Sequence, residues 1–144
     1  MKILKYVIPG DPRTKKNHQM IAGSGPRCPR CGKFQKIWVR QGDAHDTYAK
    51  DAAWRIRPRP RVPIDYPINI CYKFYMQTRR VVDQTNLMEC LDDILIAAGV
   101  IKDDNCRIVQ AHDGTRVLYD KNNPRVEIYI TRMPEDDPGQ TTLF

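Results

Sequence analysis

The chain has 144 residues, 41% of them apolar, and a formal net charge of +7. That is enough for one domain with a modest core and excludes a chain too polar to fold. No apolar run approaches the roughly 20 residues needed to span a bilayer, which excludes an α-helical membrane protein. The charge is uneven: residues 1–61 hold 15 Lys and Arg against 4 Asp and Glu, while residues 62–144 hold 9 against 13. A basic half beside an acidic cluster suits a protein that grips a polyanion and works on it with metal ions.

The segment from Lys2 to Ile8 reads as a strand closed by Pro9-Gly10. It is too short and too charged for the apolar core of a secretory signal. With an odd number of cysteines, five, this leads to the expectation of a cytoplasmic protein with reduced thiols. A basic loop follows, carrying Arg13, Lys15 and Lys16. Residues 22–36, rich in Gly, Pro and Cys, read as part of an inserted loop or knuckle at about 21–41, with Lys36 to Arg40 returning as a short strand. Ala44 to Ile56 has helical spacing behind Asp43 and Asp46 as cap residues. The Arg57-Pro-Arg59-Pro-Arg61-Val-Pro63 run is incompatible with helix and predicts an extended basic linker.

Tyr66 to Tyr75 alternates as a strand does. Asp83 to Ala98 predicts the best helix, with Leu87, Leu91, Ile94, Leu95 and Ala98 on one face and Gly99 as its C′ residue. Arg107 to Leu118 and Arg125 to Arg132 read as two further strands joined by a turn at 119–124. Residues 133–144 form a polar tail. The order predicts an α/β (α+β) fold, a mixed sheet packed against two main helices, in a single domain over 1–132.

The acidic residues concentrate in and after the predicted helix: Asp83, Glu89, Asp92, Asp93, Asp103 and Asp104. Crowded carboxylates resist ionising together unless they diverge into water or share a cation. On a helical wheel Asn86, Glu89 and Asp93 form a second stripe away from the apolar one, and Val100-Ile101 is expected to turn the chain back so that Asp103 and Asp104 approach. Hard oxygen donors of this kind select Mg²⁺ or Mn²⁺. The competing reading is a capping Asp83, an exposed face carrying Glu89, Asp92 and Asp93, and a turn at 103–105.

Asp83-x-Thr85-Asn86-Leu87, then Asp93-x-Leu95, Ala98-Gly99-Val100 and Asp103-Asp104, resembles the core of the RusA family of Holliday junction resolvases. That family's usual signature is D-x-D-N-L-x-K, then D-x-L and D-D. Val7-Ile8-Pro9-Gly10 with Lys15-Lys16-Asn17 is similar to the family's N-terminal strand and basic loop, and Pro124 to Ile128 to its last strand. The resemblance implies a homodimeric, Mg²⁺-dependent endodeoxyribonuclease that resolves four-way DNA junctions by paired symmetric nicks, in recombination and repair. It carries over Asp83 and Asp104 as metal-binding catalytic carboxylates, with Asp103 beside them. Two positions depart from the pattern: Thr85 stands where the family has its second Asp, and Glu89 where it has Lys. Thr85 and Glu89 share a helix face at i, i+4, so Glu89 is expected to supply the missing carboxylate. Lys15, Lys16, Arg79 and Arg80 are expected to hold backbone phosphates, contacts that position DNA without reading its sequence.

Two further motifs stand outside this core. Cys28-Pro-Arg-Cys31-Gly32-Lys33 is half of a zinc knuckle. His18 and His45 flank it and are available to complete a structural Zn²⁺ site, two chains of a dimer are the other route, and a basic loop with two reduced thiols is the bland alternative. The chain ends Gln140-Thr-Thr-Leu143-Phe144, which resembles the Q-x-x-L-F peptide that docks on the bacterial sliding clamp. The rivals to a nuclease are a junction-binding module weakened by the loss of the second Asp, and a zinc-knuckle adaptor recruited to the clamp.

Overall fold

The computed structural model of the chain describes residues 3–14, 19–41 and 43–134. Its elements run β1 (Ile3–Pro9), β2 (Gln19–Arg27), β3 (Phe34–Gln41), α1 (Asp43–Arg55), β4 (Ile68–Met76), α2 (Gln84–Ala97), β5 (Val109–Ala111), β6 (Arg116–Tyr119) and β7 (Arg125–Arg132). The fold is α+β: a mixed five-stranded sheet with two helices, and a separate two-stranded sheet made by β2 and β3.

In the larger sheet β7 pairs antiparallel with both β1 and β4, while β5 and β6 run parallel to β4 along its other edge. The alternation of β4 decides which face is inside. Ile68, Ile70, Tyr72, Phe74 and Met76 are buried, as are Tyr6 and Ile8 of β1 and Val126, Ile128 and Ile130 of β7. They share one core with Leu87, Cys90, Leu91, Ile94 and Leu95 of α2. On the other face cations lie over aromatic rings: Lys5 and Lys73 on Tyr129 at 5.3 and 5.4 Å, and Arg125 on Tyr75 at 3.8 Å.

α2 ends where the spacing predicted. Gly99 takes φ +75°, a left-handed conformation that glycine adopts without a Cβ clash. Val100 and Ile101 then return to the core, and Ile101 bridges Ile64. The residues after α2 therefore do turn back toward the sheet. α1 packs against α2 and β1. Its last carbonyls are met by Arg59, whose guanidinium donates to Ala53 O at 2.5 Å and Ile56 O at 3.1 Å. At least one arginine of the 57–63 segment is thus occupied in closing a helix end.

Two expectations are corrected. Residues 22–36 are not an irregular loop: Gln19–Arg27 is a strand, paired with β3 from Gln19↔Gln41 to Arg27↔Phe34. Pattern reading missed it because Gly23, Gly25 and Pro26 disguise the alternation. Nor is Arg107 to Leu118 one strand. It breaks at His112–Thr115, where Gly114 takes φ +85°. Side chains replace ladder bonds across the gap: Asp113 N donates to Asn69 Oδ1 at 2.8 Å, and Tyr72 N to Thr115 Oγ1 at 3.2 Å.

Leu91 is fully buried at the centre of the core. Leu91→Ala should cost about 2–5 kcal/mol by urea denaturation, whereas Val81→Ala, at a fully exposed position, should stay within about 0.5 kcal/mol.

Candidate active site

Each expected carboxylate has a distinct place. Asp83 is the N-cap of α2 and accepts the Thr85 N–H at 3.0 Å. It is exposed, with its negative charge at the positive end of the helix dipole. Thr85 and Glu89 are both exposed on α2, one turn apart, as the i, i+4 spacing predicted. Asp93 is half-buried and lines a hollow with His45, Ala49, Lys50 and Cys90, so it looks toward α1.

Asp103 is the shaping residue of the turn after α2. Its Oδ1 accepts the Asp104 N–H at 2.8 Å and its Oδ2 the Asn105 side-chain amide at 2.7 Å. The Asn105 bond is the larger reason its carboxyl lies below the usual range. Asp104 behaves in the opposite way. Its carboxyl is raised, first by partial loss of solvent and then by the charges of Asp92 and Asp103. The two neighbours thus shift in opposite directions: the turn's hydrogen bonds lower the Asp103 carboxyl, and lost solvent followed by neighbouring charge raises that of Asp104.

The carboxylate whose charge Asp104 feels from within α2 is Asp92, roughly 13 Å along the helix axis from Asp83 at about 1.5 Å per residue. The competing reading put Asp92 on an exposed face, and there it fails, because Asp92 is buried at 7% exposure. Its Oδ1 accepts the Tyr72 hydroxyl at 2.5 Å and lies 3.2 Å from His112 Nε2. The Tyr72 hydroxyl is pushed well above its ordinary range, first by complete burial and then by the Asp92 charge, so it remains the donor. His112 stacks on the Tyr72 ring with centroids 5.7 Å apart. Tyr72, Asp92 and His112 were missed as a group. Two signals were present: Tyr72 occupies an inward position of β4 and its hydroxyl needs a buried partner, and Asp92 sits beside Leu91 at the margin of the apolar stripe.

Of the expected phosphate contacts, Arg79 and Arg80 are exposed in the segment between β4 and α2, with the Arg79 guanidinium 4.4 Å from the Tyr119 ring centre. The loop after β1 is tied to the same segment, because Gln77 N donates to Asp11 Oδ1 at 2.9 Å. Lys15, Lys16 and His18, like Gln140, Leu143 and Phe144, lie outside the described residues.

Cys28 and Cys31 occupy the turn joining β2 to β3. Cys28 N donates to Lys33 O and Gly32 N to Cys28 O, both at 2.8 Å. The Cys28 thiol is lowered, first by the Cys31 backbone N–H and next by that of Arg30, both of which favour the thiolate. His45 does not serve this pair. It is buried in α1, with Nε2 3.2 Å from Cys90 Sγ; nearness in sequence was misleading. Among the described residues, no group of three or more His, Cys, Asp or Glu is arranged to hold a metal ion. Nor is any helix among them long and apolar enough to cross a membrane.

Removing the Tyr72 hydroxyl takes a donor from a buried carboxylate, so Tyr72→Phe should cost about 1–3 kcal/mol by chemical denaturation. Asp104→Asn should have the opposite sign. A carboxyl raised in the folded state opposes folding once it ionises, so this variant should melt above the parent at neutral pH. The gain should shrink as pH falls through the carboxylate range, where Asp104 becomes neutral in both states.

No protein-family model matches the chain, and no curated protein matches it. The resemblance to RusA resolvases rests on the motif residues themselves.

Proposed function

We propose that this protein is a metal-dependent, structure-specific endodeoxyribonuclease that acts on branched DNA, four-way junctions in particular, as a homodimer making paired symmetric nicks. The observation that supports the reading is the crowding of carboxylates around the end of α2, where Asp104 follows Asp103 in the turn and lies near Asp92. In a chain of net charge +7, a carboxyl at the turn after α2 is pressed by Asp92 and Asp103. Like charges are held together at a cost, and a cation among them relieves it.

The donor chemistry fits a hard divalent ion. Asp83, Glu89 and Asp104 offer exposed carboxylate oxygens, the class that Mg²⁺ or Mn²⁺ takes. When bound, such an ion neutralises charge on the phosphodiester and makes water a better nucleophile. The chain's own residues hold and orient. Asp83 and Asp104 are the assigned carboxylates, with Asp103 fixing the backbone beside Asp104. Glu89 stands one turn beyond Thr85 in place of the family's second Asp. Arg79, braced on Tyr119, and Arg80 grip phosphates together with Lys15 and Lys16. Junction shape and dimer symmetry, not base contacts, supply selectivity. The terminal Gln140-x-x-Leu143-Phe144 peptide recruits the protein to the sliding clamp.

One observation favours a second reading. Thr85 offers a hydroxyl where the family has a carboxylate, and a protein short of one ligand would bind junctions without cutting them. The deciding experiment incubates the full chain with a synthetic four-way junction and Mg²⁺. Paired symmetric nicks are expected, lost in Asp83→Asn and Asp104→Asn with junction binding retained; binding without nicks by the parent protein selects the second reading. Glu89→Gln should abolish cleavage, and intact metal-dependent cleavage would remove Glu89 from the ligand set. Arg79→Ala and Arg80→Ala should each weaken junction binding and lower the salt slope by about one.

Deleting residues 140–144 should abolish binding to the sliding clamp in a pull-down while leaving cleavage of free junctions unchanged. No clamp binding by the intact protein would end that part of the proposal.

A further inference from the structure

The β2–β3 hairpin contributes nothing to the five-stranded sheet. Its strands are rich in exposed side chains, and its turn carries two cysteines three residues apart. The turn is already folded as a ligand would need it. Gly32 takes φ +69°, the Cys28–Lys33 and Gly32–Cys28 backbone bonds close it at 2.8 Å, and the N–H groups of Arg30 and Cys31 are directed at the Cys28 sulfur. Backbone donors aimed at a sulfur satisfy a thiolate that also binds a metal. Cys31 is exposed at the same tip.

A closed zinc site needs four N or S ligands, and the tip supplies two. The other cysteines and histidines among the described residues lie on other elements, with Cys106 exposed in the segment between α2 and β5. Cys90 is buried against His45, Cys71 is half-buried on β4 opposite Gly114, and His112 contacts Asp92.

We propose that Cys28 and Cys31 from two copies of this chain bind one Zn²⁺ between them, joining the hairpins tip to tip about a two-fold axis. A second copy brings an identical pair of sulfurs, so the symmetric arrangement reaches four ligands with no other partner. Charge supports it. Four thiolates and one Zn²⁺ sum to −2, and the residues flanking each cysteine pair in sequence include Arg27, Arg30, Lys33 and Lys36. Without the ion, two such basic tips repel. Behind the turn Ile37 and Trp38 remain about half exposed, at 53% and 47%, on opposite faces of β3. The inference concerns assembly and does not depend on the proposed nuclease activity.

The test measures metal and mass together on the purified full-length protein. Elemental analysis should give one zinc per two chains, and sedimentation a dimer. A strong chelator, Cys28→Ser or Cys31→Ser should each abolish zinc binding and shift the protein toward monomer. Unchanged far-UV circular dichroism and melting of the Cys31→Ser domain separate lost assembly from misfolding. Co²⁺ substituted for Zn²⁺ should give the intense visible absorption of tetrahedral thiolate ligation in the dimer only. One zinc per chain in a monomer would overturn the shared site, as would a metal-free protein or a dimer that survives loss of the ion. None of these readouts involves DNA cleavage, so loss of the zinc site and loss of the endonuclease chemistry are distinguishable, and only the homodimer is common to the two proposals.

Discussion

A carboxylate leaves water only where donors replace its solvent, and the fold of this protein is organised around one that does. Asp92 lies in α2 at 7% exposure, reached by the Tyr72 hydroxyl of β4 and by His112 from the gap between β5 and β6. Three elements distant in sequence must be in register for that arrangement to exist. Had β5 and β6 been one continuous strand, His112 would have followed the alternation of the ladder. The break at Gly114 takes it out of the ladder, and the Asn69 and Thr115 side chains restore the hydrogen bonds the break removes. An interruption that looks like a defect in the sheet is what positions the histidine.

The same carboxylate shapes the chemistry outside the core. Its negative charge is close enough to raise Asp104, so the turn after α2 holds more negative charge than its own residues explain. Asp103 does not share the burden, because Asn105 and the Asp104 N–H keep it ionised. The arrangement gives these acids different parts: Asp83 caps, Asp103 shapes, Asp92 accepts from Tyr72, and Asp104 is raised first by lost solvent and then by the charges of Asp92 and Asp103.

Much of the frame was legible because it is written in local patterns. The α2 boundaries followed from Asp83 as cap and Gly99 as terminator, and β1, β4 and β7 from period-two alternation on a half-covered sheet. What escaped notice was non-local. Asp92 reads as one more acid in an acidic stretch, and only its packing against Tyr72 distinguishes it from Glu89, three residues earlier and exposed. β2 was hidden because glycines and a proline lower β propensity, while cross-strand pairing with Phe34 to Gln41 decides the matter. His45 was misjudged for a related reason: it precedes the helix core in sequence, yet its helix carries it to Cys90 and away from Cys28.

The hairpin and the sheet answer to different constraints. Within the sheet, changes propagate, because each strand of the core touches α2 or a neighbour that does. The hairpin is a two-stranded ribbon, and isolated ribbons of that size are marginal in water. Its lysines and arginines cannot provide a core, and its aromatic residues, Phe34 under Arg27 at 4.7 Å and half-exposed Trp38, provide only a thin one. Something must compensate if the tip is to keep a defined shape. A backbone turn closed by the Cys28–Lys33 and Gly32–Cys28 hydrogen bonds is the feature of this ribbon that does so. The ribbon's order thus rests on its own backbone pairing and turn, whereas the five-stranded sheet and its helices rest on burial.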